Sequence, residues 1–173
     1  ILFVNLFTDS FPAIAFAFED GIDDLGSHPK KLRKNLFDRE MKFFILTISV
    51  LSGAFLFVLY LALLKMGFAE ELARTFIFAS FASYTLFLTF SLRSLAKNVL
   101  SYNPFSNKSL TIGVGIGLLL VVAAIYIPWF RQILNTVWLP PIWLLGVAGV
   151  GLFNIMAVEL GKWLFRKKII KFV

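Results

Sequence analysis

The sequence predicts an all-α integral membrane protein: five transmembrane helices forming a fragment of a larger helical bundle. Three observations carry that reading. Hydrophobic residues make up 59% of the 173 residues and charged residues 16%, where a soluble domain carries about a quarter. The apolar residues gather into five stretches, about 1–18, 43–64, 75–92, 109–127 and 142–164, each near the roughly 20 residues that cross a bilayer as a helix. The basic residues flank the apolar spans, so the net charge of +7 reads as membrane topology and no nucleic-acid partner is expected. The absence of cysteine excludes disulfides and thiolate metal sites. Ile1 opens inside an apolar span, without Met or a basic leader, so a missing N-terminal part of the same polypeptide is expected.

The first span, Ile1 to Phe18, is roughly 27 Å long as a helix. Asp9 falls near its middle, where a carboxylate costs about 2.5–3.5 kcal/mol on insertion scales. Asn5, Thr8 and Asp9 stand at i, i+3 and i+4, on one face of a helix. Pro12 has no N–H, so it predicts a helix break that frees the carbonyl of Thr8. A carboxylate, an amide oxygen, a hydroxyl and a carbonyl at one depth suit a hard cation such as calcium, magnesium or manganese. Polar groups that merely join helices are the plainer alternative, but an Asp beside a mid-membrane break favours an ion site.

The connection from Glu19 to Lys34 is rich in Gly, Pro and charge and reads as a solvated loop. Its acidic cluster lacks the ligand spacing of a calcium-binding loop, and His28 reads as solvated. Residues 35–42 predict a short amphipathic turn along the interface. The second span follows, then an acidic connection through Glu70 and Glu71. The third span carries Ser80, Ser83, Thr85, Thr89 and Ser91, a face of hydroxyls and small residues. The fourth ends at Pro128. Trp129, Trp138 and Trp143 bracket the next loop, as interfacial anchors do.

Gly113, Gly115 and Gly117 lie inside a membrane span with no preceding strand, which rules out a nucleotide fingerprint. Gly113 and Gly117 predict a packing face instead, as do Gly146 and Gly149. Asn154 in the fifth span predicts an interhelical hydrogen bond. Glu159 and Lys162, three residues apart, predict a pair snorkelling to the interface. Lys and Arg number six in residues 19–42, three in 93–108 and five from 162 onward, fourteen in all, against Lys65, Arg74 and Arg131 elsewhere. That asymmetry predicts an extracytoplasmic N-terminus and a cytoplasmic C-terminus.

The pattern N-x-x-T-D-x-x-P-A, formed by Asn5, Thr8, Asp9, Pro12 and Ala13, resembles the sixth transmembrane helix of P-type cation-transporting ATPases of the calcium-pump-like group. The whole chain, residues 1–173, resembles helices six to ten of such a pump. The resemblance implies that Asn5, Thr8 and Asp9 are cation (metal) ligands, with Asp9 bridging sites where two ions bind. The third span resembles the eighth helix, where two-ion calcium pumps carry Glu and one-ion relatives often Gln. Thr85 stands at that position as a possible cation ligand, which implies a single ion. The family's phosphorylation motif, D-K-T-G-T, is nowhere in the 173 residues. The implied function is the membrane part of an ATP-driven cation pump, with the transported cation and the lipid bilayer as partners. ATP and Mg belong to the full-length pump, and the fragment should hold no cofactor and be inactive alone. A stand-alone, non-enzymatic multispan protein, either a pump accessory or an ion-conducting bundle, is the alternative.

Overall fold

A computed structural model of the chain describes residues 3–4, 10–17, 39–93 and 98–170. All regular structure among them is helical: α1 (Ser10–Phe16), α2 (Arg39–Lys65), α3 (Glu70–Leu92), α4 (Lys108–Tyr126), α5 (Pro128–Leu134) and α6 (Ile142–Ile170), with a 3₁₀ turn at Val99–Ser101. Helices α2, α3, α4 and α6 are each long and apolar enough to cross a membrane, and they stand where the second to fifth spans were expected. Of the first span only Phe3, Val4 and residues 10–17 are described.

The element ends follow from local chemistry. Arg39, Glu40, Met41 and Lys42 are all good helix formers, and they are helical, continuous with the rest of α2. The interfacial turn expected for residues 35–42 is thus corrected from Arg39 onward, and 35–38 lie outside the described residues. At its other end α2 closes on Gly67, whose φ of +85° suits glycine alone at low cost. The Gly67 N–H donates to Leu64 O and the Phe68 N–H to Leu63 O, the paired bonds of a Schellman ending. Glu70 and Glu71 open α3, where negative charge offsets the helix dipole. Asn107 caps α4 by accepting from the Leu110 N–H at 2.8 Å. Pro128 ends the bonding of α4 and starts α5 at its first position, where its missing N–H costs nothing. Residues 128–134 were read as loop; they are helical, ended by Asn135 in the left-handed region at φ 54°.

Helix α3 is the hub, packing most extensively on α6 and then on α4 and α2. Its most apolar stretch is 56% buried, against 11% for α2. The reason is size: Ala73, Ala79, Ser80, Ala82 and Ser83 are buried along it, and small side chains let neighbouring backbones approach. Glycines on the partners complete the fit. A Cβ on Gly117 would stand 2.5 Å from Leu86 Cδ2, and one on Gly113 would stand 3.2 Å from Phe11 O. The paired glycines of α4 therefore seat two different elements, α3 and α1. On α6 the ring of Phe76 lies at Gly146 and that of Phe87 at Gly151, while Gly149 has nothing within 4 Å of its would-be Cβ. Gly151 thus takes the packing role expected of Gly149. Trp129 and Trp138 are exposed as anchors should be. Trp143 instead packs edge-on against Phe68 and Phe76, at 5.0 and 5.2 Å.

Candidate functional site

Asn5, Thr8 and Asp9 lie outside the described residues. Their described neighbours are fixed on both sides. Phe3 and Val4 are buried, and the Phe3 ring lies 5.9 Å from that of Phe78 on α3 and 6.4 Å from that of Phe130 on α5. After the gap, α1 rests on α4: Phe11 meets Gly113, and the Asn107 amide donates to Ala15 O at 3.5 Å. Pro12 is buried within α1. Thr8, whose carbonyl Pro12 was expected to free, lies outside the described residues.

Thr85 is partly buried on α3, and its hydroxyl donates to Ala82 O at 2.9 Å. That bond occupies the proton and leaves oxygen lone pairs, the part of a hydroxyl a cation uses. Its chain neighbour Leu86 is the residue that Gly117 receives, and Gly113, one turn along α4, receives Phe11. Through α4, then, the structure relates the level of Thr85 to that of α1. Five residues before Thr85 and about 140° around α3 from it, Ser80 Oγ is buried with no hydrogen-bond partner among the described residues. Among the described residues no group of three or more His, Cys, Asp or Glu could hold a metal.

The densest polar cluster is elsewhere, where α3 ends against α6. The Lys162 ammonium donates to Glu159 Oε1 at 2.7 Å and to the Ser91 carbonyl. The Ser91 hydroxyl donates to the same carboxylate oxygen, and the Val99 N–H donates to the other at 3.3 Å. Lys162 is 2% exposed, which corrects the snorkelling expected of it. The last carbonyls of α3 supply the solvation that the ammonium would otherwise seek at the interface, and a cation there also meets the negative end of the helix dipole. Sequence spacing foresaw the Glu159–Lys162 pair; Ser91 was visible only as one hydroxyl among several. Asn154 needs a similar correction: its amide donates to Val150 O at 2.9 Å, one turn back on its own helix and not across to another.

The connection leaving α3 is folded back on the same helix end. Arg93 donates to Asn103 O, Pro104 O and Ser106 Oγ and lies 5.5 Å from the Tyr102 ring centre. The Tyr102 hydroxyl donates to Phe90 O. At the opposite end of the bundle, the Arg74 guanidinium donates to Asn135 O at 3.2 Å. There Thr75 donates to Glu71 O and accepts from the Val137 N–H.

Residues 1–164 match a family model described as cation transporting ATPase, C-terminus. The chain is 30% identical to a calcium-transporting ATPase of Bacillus subtilis, over 97% of this chain and 19% of that protein. It is 29% identical to calcium-transporting ATPase 1 of Bacillus cereus, over 74% of the chain and 16% of that protein. For calcium-transporting ATPase 1 of Saccharomyces cerevisiae the identity is 27%, over 79% and 14%. At most about a fifth of the length of these curated relatives is spanned.

Proposed function

The chain belongs to the family of cation-transporting ATPase C-termini, and from that premise we propose that it supplies half of an intramembrane cation site in an ATP-driven pump. Calcium is the proposed ion, because hard oxygen donors suit it and the relatives are named as calcium transporters. Asn5, Thr8 and Asp9 are the proposed ligands, Pro12 marks the helix break beside them, and Thr85 adds a hydroxyl from α3. The observation that carries this reading is the family match, which runs through the N-x-x-T-D-x-x-P-A stretch. The packing of Phe3 on α3 and of Phe11 on α4 supports it. ATP, Mg and the phosphorylated group belong to the rest of the proposed full-length pump.

Asp9→Asn keeps the side chain's size and one oxygen but removes the charge that balances a divalent ion. In the full-length protein the variant should lose cation-dependent phosphorylation from ATP. Phosphorylation from inorganic phosphate, which needs no transported cation at the site, should persist and show that the protein is folded. Both reactions are to be followed across a calcium and a manganese series. Wild-type cation affinity in the variant would remove Asp9 from the ligand set.

A further inference from the structure

The end of the bundle opposite the Lys162 cluster carries two arginines, on α3 and on α5, both bonded to Asn135 of the turn between α5 and α6. Arg74 is exposed near the start of α3, and Arg131 is partly buried on α5. One N–H of Arg74 is used on Asn135 O, and the Asn135 N–H in turn donates to Arg131 O. Arg131 Nε is buried with no hydrogen-bond partner. The stem is therefore packed down, and the charged terminal nitrogens meet no acceptor among the described residues. Among the described residues neither guanidinium has an acidic partner. An arginine offers five N–H donors, so most of this pair's capacity is unused.

The turn is held in place. The Val137 N–H donates to Thr75 Oγ1, the Thr136 hydroxyl to Ala124 O, and the Tyr126 hydroxyl to Leu139 O. Its depth is marked by apolar side chains that face outward: Ile127, Trp129, Ile133 and Trp138 are 45%, 63%, 60% and 50% exposed. They lie between the end of the α4 span at Tyr126 and the start of the α6 span at Ile142. Exposed Trp and Ile at that level belong to the boundary between acyl chains and headgroups. The acceptors available there to a fixed guanidinium are lipid phosphates, and guanidinium–phosphate pairing is strong and directional. Glu70 and Glu71, both exposed, precede Arg74 by one turn. They oppose a headgroup of net negative charge and favour one whose own ammonium has N–H groups to donate to a carboxylate, which ethanolamine has and choline lacks.

We propose that this turn binds one membrane phospholipid of the ethanolamine class, with its phosphate on Arg131 and Arg74 and its ammonium beside Glu70 and Glu71. The inference rests on membrane residence and stands apart from the cation site. The test uses the full-length protein in nanodiscs of phosphatidylcholine doped with a phosphatidylethanolamine that carries a photoactivatable group near its phosphate. Illumination of wild type should label the peptide spanning residues 127–139. Label spread evenly over the helices, or absent from this peptide, overturns the proposal without any variant having to fold.

Retention of phosphatidylethanolamine through detergent purification, counted by native mass spectrometry, is the second measurement. Arg131→Gln should lower it at least tenfold and Arg74→Gln by a smaller factor, while Arg131→Lys, which keeps the charge but not the directional fork, should fall between Arg131→Gln and wild type. Unchanged retention in Arg131→Gln refutes the site. Inorganic phosphate at millimolar concentration should not displace the lipid; if it does, the turn is a free-anion site. Phosphatidylglycerol competing as well as phosphatidylethanolamine would overturn the assignment of the headgroup.

Discussion

Lys162→Met isolates the contribution of a buried ion pair at a helix end. Methionine keeps an unbranched chain of similar length and removes the charge and all three donors. The lost bond to the Ser91 carbonyl is charge-assisted, worth about 1.5–3 kcal/mol. Glu159 loses its cation but keeps the Ser91 hydroxyl and the Val99 N–H, and its side chain is 17% exposed. The stranded carboxylate therefore costs less than the roughly 3–5 kcal/mol of a fully buried broken pair. Burying the methionine chain returns part of the loss, leaving about 2–3 kcal/mol. The opening affected is local: release of the 3₁₀ turn and the α3 end from α6.

Hydrogen exchange of the peptide spanning residues 98–107, in the full-length protein, reads that opening directly. At tenfold per 1.4 kcal/mol, its slowest amides should exchange about 30- to 150-fold faster in Lys162→Met. Peptides around Thr136, at the far end, should not change. Glu159→Gln should speed exchange at least as much: it leaves the more deeply buried charge, Lys162 at 2% exposed, without its counter-ion, and its single amide oxygen cannot serve both the Ser91 hydroxyl and the Val99 N–H, which use different carboxylate oxygens. The double variant Glu159→Gln/Lys162→Met removes both charges and should sit well below the sum of the two singles, since a pair lost whole is far cheaper than a pair broken. Additive singles, or an unchanged exchange rate in Lys162→Met, would show that the buried ammonium does not fasten α3 to α6.

The contrast between two glycines tests the packing. Gly117→Ala drives a Cβ to 2.5 Å from Leu86 Cδ2, and because Leu86 is fully buried the cost should be about 1–3 kcal/mol, seen as a lower thermal midpoint that Leu86→Ala restores in part. Gly149→Ala meets nothing within 4 Å and should be neutral or stabilising by up to about 1 kcal/mol. Thr85→Ala should shift apparent cation affinity in transport assays only a few-fold, because one neutral hydroxyl is lost; abolition of transport would make Thr85 a principal ligand. For orientation, a reporter active only in the cytoplasm should work after Val173 or within residues 26–34 and fail within 66–71 or 132–137, and the reverse pattern would overturn the fourteen-to-three reading of the basic residues.

The long helices were legible because twenty-residue apolar runs are set by composition, and Pro128 was legible as an end because its effect is local, as is that of Gly67 and Asn107 in the structure. What the sequence hid was non-local. The partner of Glu159 and Lys162 is Ser91, 68 residues from Glu159, and no spacing rule links them. Gly149 and Gly151 are equally good packing residues on paper; only the position of Phe87 decides between them. Helix α5 escaped because its seven residues make less than two turns, too short a run for the i, i+4 pairs Trp129/Ile133 and Phe130/Leu134 to stand out from a loop. The site behaves oppositely. Asn5, Thr8 and Asp9 were legible as a motif and through the family it resembles, while the described structure bears on Pro12, Thr85 and their surroundings.

Those surroundings follow one arrangement. The hydrogen bonds that join α3 to other elements sit at its two ends: Arg74 and Thr75 to the turn before α6, Ser91 to α6. Between those ends the polar groups turn back along their own helices, Thr85 to Ala82 O, Thr89 to Leu86 O and Asn154 to Val150 O, while Ser80 Oγ has no partner. Adhesion in the middle is left to small residues and rings: Leu86 in Gly117, Phe76 on Gly146, Phe87 on Gly151. Such contacts fix distance without using oxygen lone pairs. A helix pinned at its ends and packed by shape at its centre keeps its central oxygens in place yet uncommitted to neighbouring helices. An intramembrane cation must shed water for protein oxygen and later leave, and under the proposed assignment of Thr85 that combination is what α3 would offer it.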